Sequence, residues 1–263
     1  MNELISKRIS SIIKFVESNG YESFDPYDGL LSPISKIVTF NNKLLMRIWQ
    51  QSILLFPFNI RSFVFIKKFL HTKTISDFAS GFALTYSISK NEKDKERAIK
   101  MLEELVRRAM NQEHGISWGL NFNFATRFIK ANSKSCNIYQ SINAINALLD
   151  GYEYLNSQNS LIKALEGFKS IEKDLGYNEL EVGIYWYYWK NMKEPIFNVN
   201  GLMVGLCSRL YKITKLDKYK SYTQKTYNYL IKNQNSDGSW YYSKSEKARF
   251  IDGFHTGFII EGL

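Results

Sequence analysis

The sequence predicts an all-α protein, an α/α toroid of about five to six helical hairpins spread over a single domain of residues 1–263. Three observations predict it. Apolar residues recur at helical spacing along most of the chain, and only four prolines interrupt it. Helical runs of two kinds alternate. Those near 74, 136, 198 and 252 carry small and apolar residues on most faces, whereas those near 92, 159 and 216 carry Lys and Glu on one face. A helix apolar all round is buried, and an amphipathic one covers it from outside. Finally, a Trp-bearing segment recurs before the inner runs: Gly115-Ile116-Ser117-Trp118-Gly119, Gly183-Ile184-Tyr185-Trp186-Tyr187-Tyr188 and Asp237-Gly238-Ser239-Trp240-Tyr241-Tyr242. Trp186 precedes Asn198 by 12 residues and Trp240 precedes Asp252 by 12, but Trp118 precedes Asn137 by 19. The repeat is therefore degenerate, with insertions. In such a ring the loops before the inner helices converge on one mouth.

In chain order, Ile5, Ile9, Ile12, Ile13 and Val16 line one face of a first helix that stops at Asn19-Gly20. Asp25-Pro26-Tyr27-Asp28-Gly29 reads as a rigid turn, because the proline steers Asp25 away from helix. A second helical region spans 34–56, and 57–73 reads as a long buried loop or broken helix. Helix 74–89 starts at a Thr74 or Ser76 cap. Helix 92–111 carries Ala98, Met101, Leu102, Leu105, Val106, Ala109 and Met110 on one face. Inner run 136–155, with Ala144, Ala147 and Gly151 as its small positions, returns through 159–175, and 199–213 returns through 216–233. The run from Asp252 to Leu263 reads as a buried inner helix with no outer helix after it, so the last hairpin is expected to be unfinished or completed by something else.

Composition narrows the function. A formal charge of +10 fits an anionic ligand or surface, and equally a lysine-rich solvated face. No nucleic-acid-binding signature accompanies it. The N-terminus lacks the features of a signal peptide. The most apolar window, 53–70, is broken by Arg61 and Lys67-Lys68, so no membrane span is expected. Two cysteines, Cys136 and Cys207, provide no disulfide framework. A cytoplasmic protein, peripherally attached at most to a membrane biosynthesis complex, is the simplest expectation.

Several blocks resemble a family of microbial and archaeal toroids found in polysaccharide and capsule biosynthesis clusters. They are Gly20-Tyr21 with Asp25-Pro26-Tyr27-Asp28-Gly29-Leu30, Asn59-Ile60-Arg61, Trp118-Gly119-Leu120-Asn121-Phe122, the Asp237–Tyr242 turn, and Ile251-Asp252-Gly253-Phe254-His255-Thr256-Gly257-Phe258. That family is similar in outline to six-hairpin glycosidases, and the DGSW turn resembles the repeat of prenyltransferases and squalene cyclases. The resemblance implies a carbohydrate-pathway role. The chain departs from the family at Asn123-Phe124, where an acidic residue and Trp are usual. It departs again at Phe197-Asn198-Val199-Asn200, where the family has His-Asn-Ala-Asn.

The candidate catalytic residues are His255 and Asp252. Histidine is the side chain that titrates near neutrality, and three residues apart on a helix the two share a face. The plainer alternatives are a loop-bonded His and an Asp helix cap. The candidate substrate-binding residues are Trp118, Trp186 and Tyr242 as ring platforms, with Asn121, Asn123, Arg127, Tyr27, Asp28, Arg61 and Asn200 as polar lining. Arg127 or Arg61 could pair with a carboxylate or phosphate. Trp240 reads as packing. Zinc held by Cys136, Cys207 and His255 is disfavoured, since Cys207 sits in an apolar stripe, and no metal or cofactor is expected. There is no DxDD acid motif, aspartate-rich diphosphate site or P-loop. Three functions stay open: a carbohydrate-active or carbohydrate-binding protein of cell-surface polysaccharide assembly (if an enzyme, a hydrolase, lyase or epimerase), an isoprenoid-handling cyclase- or prenyltransferase-like toroid, and a non-catalytic partner.

Overall fold

Three residues in left-handed backbone mark the corners of three helical hairpins. They are Lys90 (φ 57°), Asn156 (φ 57°) and Lys215 (φ 60°), each directly after an inner helix. The chain then reverses at once into an outer helix. Asn91 and Ser157 cap two of these by accepting the backbone N–H of Lys93 and Ser160. The computed structural model describes residues 3–263. Its helices are α1 (Glu3–Asn19), α2 (Ile34–Thr39), α3 (Lys43–Leu55), α4 (Thr72–Ser89), α5 (Glu92–Arg107), α6 (Ile138–Leu155), α7 (Gln158–Ser170), α8 (Phe197–Thr214), α9 (Asp217–Lys232) and α10 (Gly253–Gly262). Helices α4, α6, α8 and α10 form the inner layer, and α5, α7 and α9 lie outside them. The fold is an α/α toroid.

The core lies between the layers. Ile75, Ala79, Phe82 and Ala83 of α4 meet Ala98, Met101, Leu102 and Leu105 of α5, and one continuous apolar cluster runs on through Ile145 and Leu148 to Met203 and Leu210. Small residues set the closest approaches. A Cβ on Gly262 of α10 would fall 1.9 Å from the Gly201 carbonyl oxygen of α8, so these helices pack backbone to backbone.

The strands are short and serve the mouth. Antiparallel pairs form between β1 (Met110–Asn111) and β2 (Ile116–Ser117), β3 (Phe124–Ala125) and β4 (Lys130–Ala131), and β5 (Tyr177–Leu180) and β6 (Gly183–Trp186). Two share the pattern Gly-Ile-x-Trp. A Cβ on Gly115 would sit 2.1 Å from the Glu166 carbonyl oxygen of α7, and one on Gly183 would sit 2.2 Å from that of Lys225 in α9. Only glycine lets these turns close on the outer helix.

Some expectations are corrected. The 34–56 helix is two helices, because Phe40 (φ 47°) and Asn41 (φ 55°) turn the chain and Asn42 caps α3. The 57–73 loop is largely exposed, not buried. Helix α5 stops at Arg107, and Met110 belongs to β1. Helix α4 begins at Thr72, ahead of the expected caps. Helix α10 packs on α8 but buries only Ile259, leaving Phe254 and Ile260 exposed.

Candidate functional site

Asp252 ends the loop before α10 in extended backbone, and its carboxylate performs both roles weighed from the sequence. Oδ1 accepts the His255 backbone N–H at 2.7 Å, which caps the helix, and Oδ2 lies 2.7 Å from His255 Nδ1, which fixes the ring. Nε2 is the ring nitrogen left for other partners. The carboxyl group is held below the usual range, because hydrogen bonds and charge from His255 outweigh the desolvation that would raise it.

Rings pack around this pair. Tyr242 meets His255 edge-on with centroids 4.6 Å apart, and Phe250 stacks on Tyr242 at 5.0 Å and 11°. Burial pushes the Tyr242 phenol up to about 12, with Asp252 and Tyr27 adding to the rise and Arg127 opposing it. Burial also holds Tyr188 well above the ordinary phenol value, aided by Tyr242 and Tyr139. Tyr139 is pushed up to about 12, by burial first and then by Asp77 and Glu261. The three phenols interact electrostatically and stay protonated at neutral pH. They are hydrogen-bond donors rather than bases.

The inner helices also line a polar cavity of about 390 Å³. Asp77 comes from α4, Asn143 and Asp150 from α6, Arg209 from α8 and Glu261 from α10. Arg209 binds Asp150 at 2.6 Å and donates to the Asn146 carbonyl at 3.1 Å, with Glu153 also on its guanidinium. An apolar helical surface would fit the inside of a protein core. Carboxylates, amides and an arginine on the inner faces fit a polar ligand.

The structure brings His255, Asp252 and Tyr242 together, with Tyr27 and Arg127 within electrostatic range of Tyr242. Tyr27 is half-exposed, its ring 5.6 Å from Phe124, and Arg127 donates to the Lys247 carbonyl. Asn121 adopts left-handed backbone (φ 65°) and has a buried Nδ2 without a protein partner. Asn123 accepts the Ser133 N–H at 3.0 Å and so holds the β3–β4 turn.

Five other candidates are structural. Trp118 is buried, donates Nε1–H to the Leu105 carbonyl at 2.8 Å and lies against Gly167 of α7. Trp186 is fully buried and donates to Thr226 Oγ1 at 3.0 Å. Neither ring offers a face to a sugar. Asn200 is buried, accepts the Trp186 N–H at 2.7 Å and donates to the Ile196 carbonyl at 2.8 Å. Asp28, also fully buried, pairs with Arg61, whose Nε sits 2.9 Å from both carboxylate oxygens. Trp240 is packing as expected, donating to the Leu230 carbonyl at 2.9 Å.

Sequence reasoning missed the lumen. Tyr139, Asn143, Asn146 and Asp150 are spaced i, i+4, i+7 and i+11 and form a polar stripe on a buried helix, which was the available signal. Both cysteines are free and buried. Burial pushes Cys136 up to about 11 and Cys207 higher still, so both remain thiols. Among the described residues, Glu113, His114 and Asp174 bring ligand-type atoms within 4.8 Å of one another, but His114 Nδ1 is already bonded to Asp174 Oδ1 at 2.7 Å.

The inner layer and polar lumen can be compared with solved proteins. No protein-family model matches the chain, and no curated protein matches it. Solved structures do. A family 76 alpha-mannanase of Bacteroides thetaiotaomicron superposes with a TM-score of 0.51 at 17% identity, over 73% of this chain and 50% of that one. The chain shares its fold with six-hairpin toroid enzymes. The cellobiose 2-epimerase of Spirochaeta thermophila gives a TM-score of 0.53 at 14% identity, over 73% and 53%. That of Bacillus thermoamylovorans gives 0.55 at 13%, over 86% and 67%. The chain thus spans about half the length of the first two.

Proposed function

We propose that this protein binds carbohydrate in the polar lumen and carries out acid–base chemistry on it at the mouth. Two observations support the reading: an imidazole in the first turn of α10, oriented by a carboxylate and edge-on to a protonated tyrosine, and a cavity lined by acids, amides and an arginine to which the last turn of the same helix contributes Glu261. His255 Nε2 would take a proton from the sugar, or pass one to a leaving oxygen. Tyr242 would donate a hydrogen bond to the oxygen on which charge develops. Arg127 would favour an acidic sugar, so a uronic acid undergoing epimerisation or β-elimination suits the groups present. The fold's presence in a mannanase and two epimerases supports a carbohydrate ligand. We assign the protein to cell-surface polysaccharide assembly on the cytoplasmic side. The two buried free thiols accord with a reducing compartment. Among the described residues no helix is long and apolar enough to cross a membrane. The isoprenoid reading is disfavoured, because Asp77, Asp150 and Glu261 would face an apolar chain.

Titration calorimetry with neutral and uronic-acid oligosaccharides tests this. Wild type should bind the acidic series. His255→Gln should weaken binding or turnover at least about tenfold, or 1.4 kcal/mol, with an unchanged melting temperature. Asp252→Asn keeps the cap and should lose turnover more than affinity. Equal binding and equal turnover by wild type and His255→Gln would remove His255 from the site, and no response to any glycan would leave a non-catalytic partner.

A further inference from the structure

From Gly29 to Ser76 the sequence contains no Asp or Glu, yet it holds Lys36, Lys43, Arg47, Arg61, Lys67, Lys68 and Lys73. This segment, α2, α3 and the loop after them, also exposes large apolar side chains. Phe40 is 82% exposed, Phe63 76%, Leu55 74%, Ile37 71%, Phe65 67% and Phe58 61%. Scattered exposed apolar residues are ordinary, but a concentration of phenylalanines marks an interaction surface.

The loop that bears the rings is fixed in place. Arg61 ties it to the buried Asp28, and the Ser23 and Phe69 backbones exchange hydrogen bonds at 3.1 Å. Phe40 (φ 47°) and Phe65 (φ 60°) occupy left-handed backbone, which is uncommon for bulky residues and costs conformational energy. The fold therefore holds these rings outward instead of folding them in.

We propose that this face docks on the surface of an anionic lipid bilayer, with Phe58, Phe63 and Phe65 at the acyl boundary and Lys67 and Lys68 among the headgroups. Apolar rings interspersed with cations match an interface that is apolar inside and negative at its surface. Charge selects this occupant. A second copy of the chain would bring an equally cationic face against it, with no carboxylate in either segment to offset the repulsion. Docking goes beyond the carbohydrate reading and does not depend on it.

Sedimentation with vesicles of phosphatidylcholine alone, or mixed with phosphatidylglycerol, tests the proposal. Wild type should partition onto the mixed vesicles at least about tenfold more strongly than onto the neutral ones, and salt should weaken this. Phe58→Ser/Phe63→Ser/Phe65→Ser should lose partition at least about tenfold, and so should Lys67→Glu/Lys68→Glu. Each of these side chains is exposed, so both variants should keep the wild-type circular dichroism and melting temperature. The proposal is overturned if wild type stays in solution with the mixed vesicles, or if either variant partitions like wild type. It is also overturned if wild type self-associates through this face and the triple variant becomes monomeric, which would make a second copy the occupant.

Discussion

Arg61→Met separates scaffold from site. Asp28 is fully buried, and Arg61 Nε at 2.9 Å neutralises both of its oxygens while Nη2 donates to the Asp25 carbonyl at 2.9 Å. Burial already pushes the Asp28 carboxyl above the usual range, against the opposing pull of Arg61. Removing the guanidinium leaves a buried charge without its partner, at a cost of about 3–5 kcal/mol. For a chain of this length each kcal/mol moves the melting temperature about 2–4 °C, so the drop should be about 6–20 °C. The pH dependence has a definite sign. A carboxyl raised in the folded state binds its proton more tightly there than in the unfolded chain. The penalty is therefore full above the folded pKa and is relieved as pH falls through it. Melting followed by circular dichroism from neutral pH down to about 5 should show the variant's deficit shrinking, because without Arg61 the carboxyl rises further. Asp28→Asn/Arg61→Met should recover most of the loss at neutral pH. A deficit below about 1 kcal/mol that does not change with pH would refute the reasoning. The pair would then be solvated and available to a ligand.

Gly115→Ala should destabilise by about 1–3 kcal/mol, since the new Cβ would meet the Glu166 carbonyl oxygen at 2.1 Å, whereas Gly253→Ala, with nothing within 4 Å, should melt like wild type. Trp186→Ala should cost about 3–5 kcal/mol in urea unfolding, because it empties a core site shared with Tyr177, Tyr222 and Phe168 and strands Thr226 Oγ1. A stable Trp186→Ala with lost glycan binding would return that ring to the site.

The alternation of inner and outer helices was legible because its causes are local: the small and apolar residues around α6 and α8, and the one-sided face of α5. The roles of the tryptophans were not. Trp118 and Trp186 lie before inner helices in loops that do approach the mouth. Whether each ring faces the lumen or the next outer helix depends on how near the backbone comes to that helix, and the glycine three residues earlier decides it. Asp28 and Arg61 are 33 residues apart, and nothing local shows that they meet. The Asp252–His255 contact was readable, being three residues apart at a helix start. Tyr139 to Asp150 escaped notice because Ala144, Ala147 and Gly151 on the same helix made the whole run look buried.

The two Gly-Ile-x-Trp turns also determine where this chain can be divided. Each turn precedes an inner helix, but its glycine rests on the outer helix that comes after that one; Trp186 bonds to that same helix, whereas Trp118 lies against α7 and bonds back to Leu105 of α5. The interlocked module is therefore turn, inner helix and outer helix, running from β1 through α7 and from β5 through α9. A deletion or graft cut at the helix starts would part each glycine from the carbonyl it fits and leave two imperfect joints. Cuts placed just before the strand turns would move whole modules with those seats intact. Shuffling or shortening this architecture should therefore succeed in one register and fail in the other.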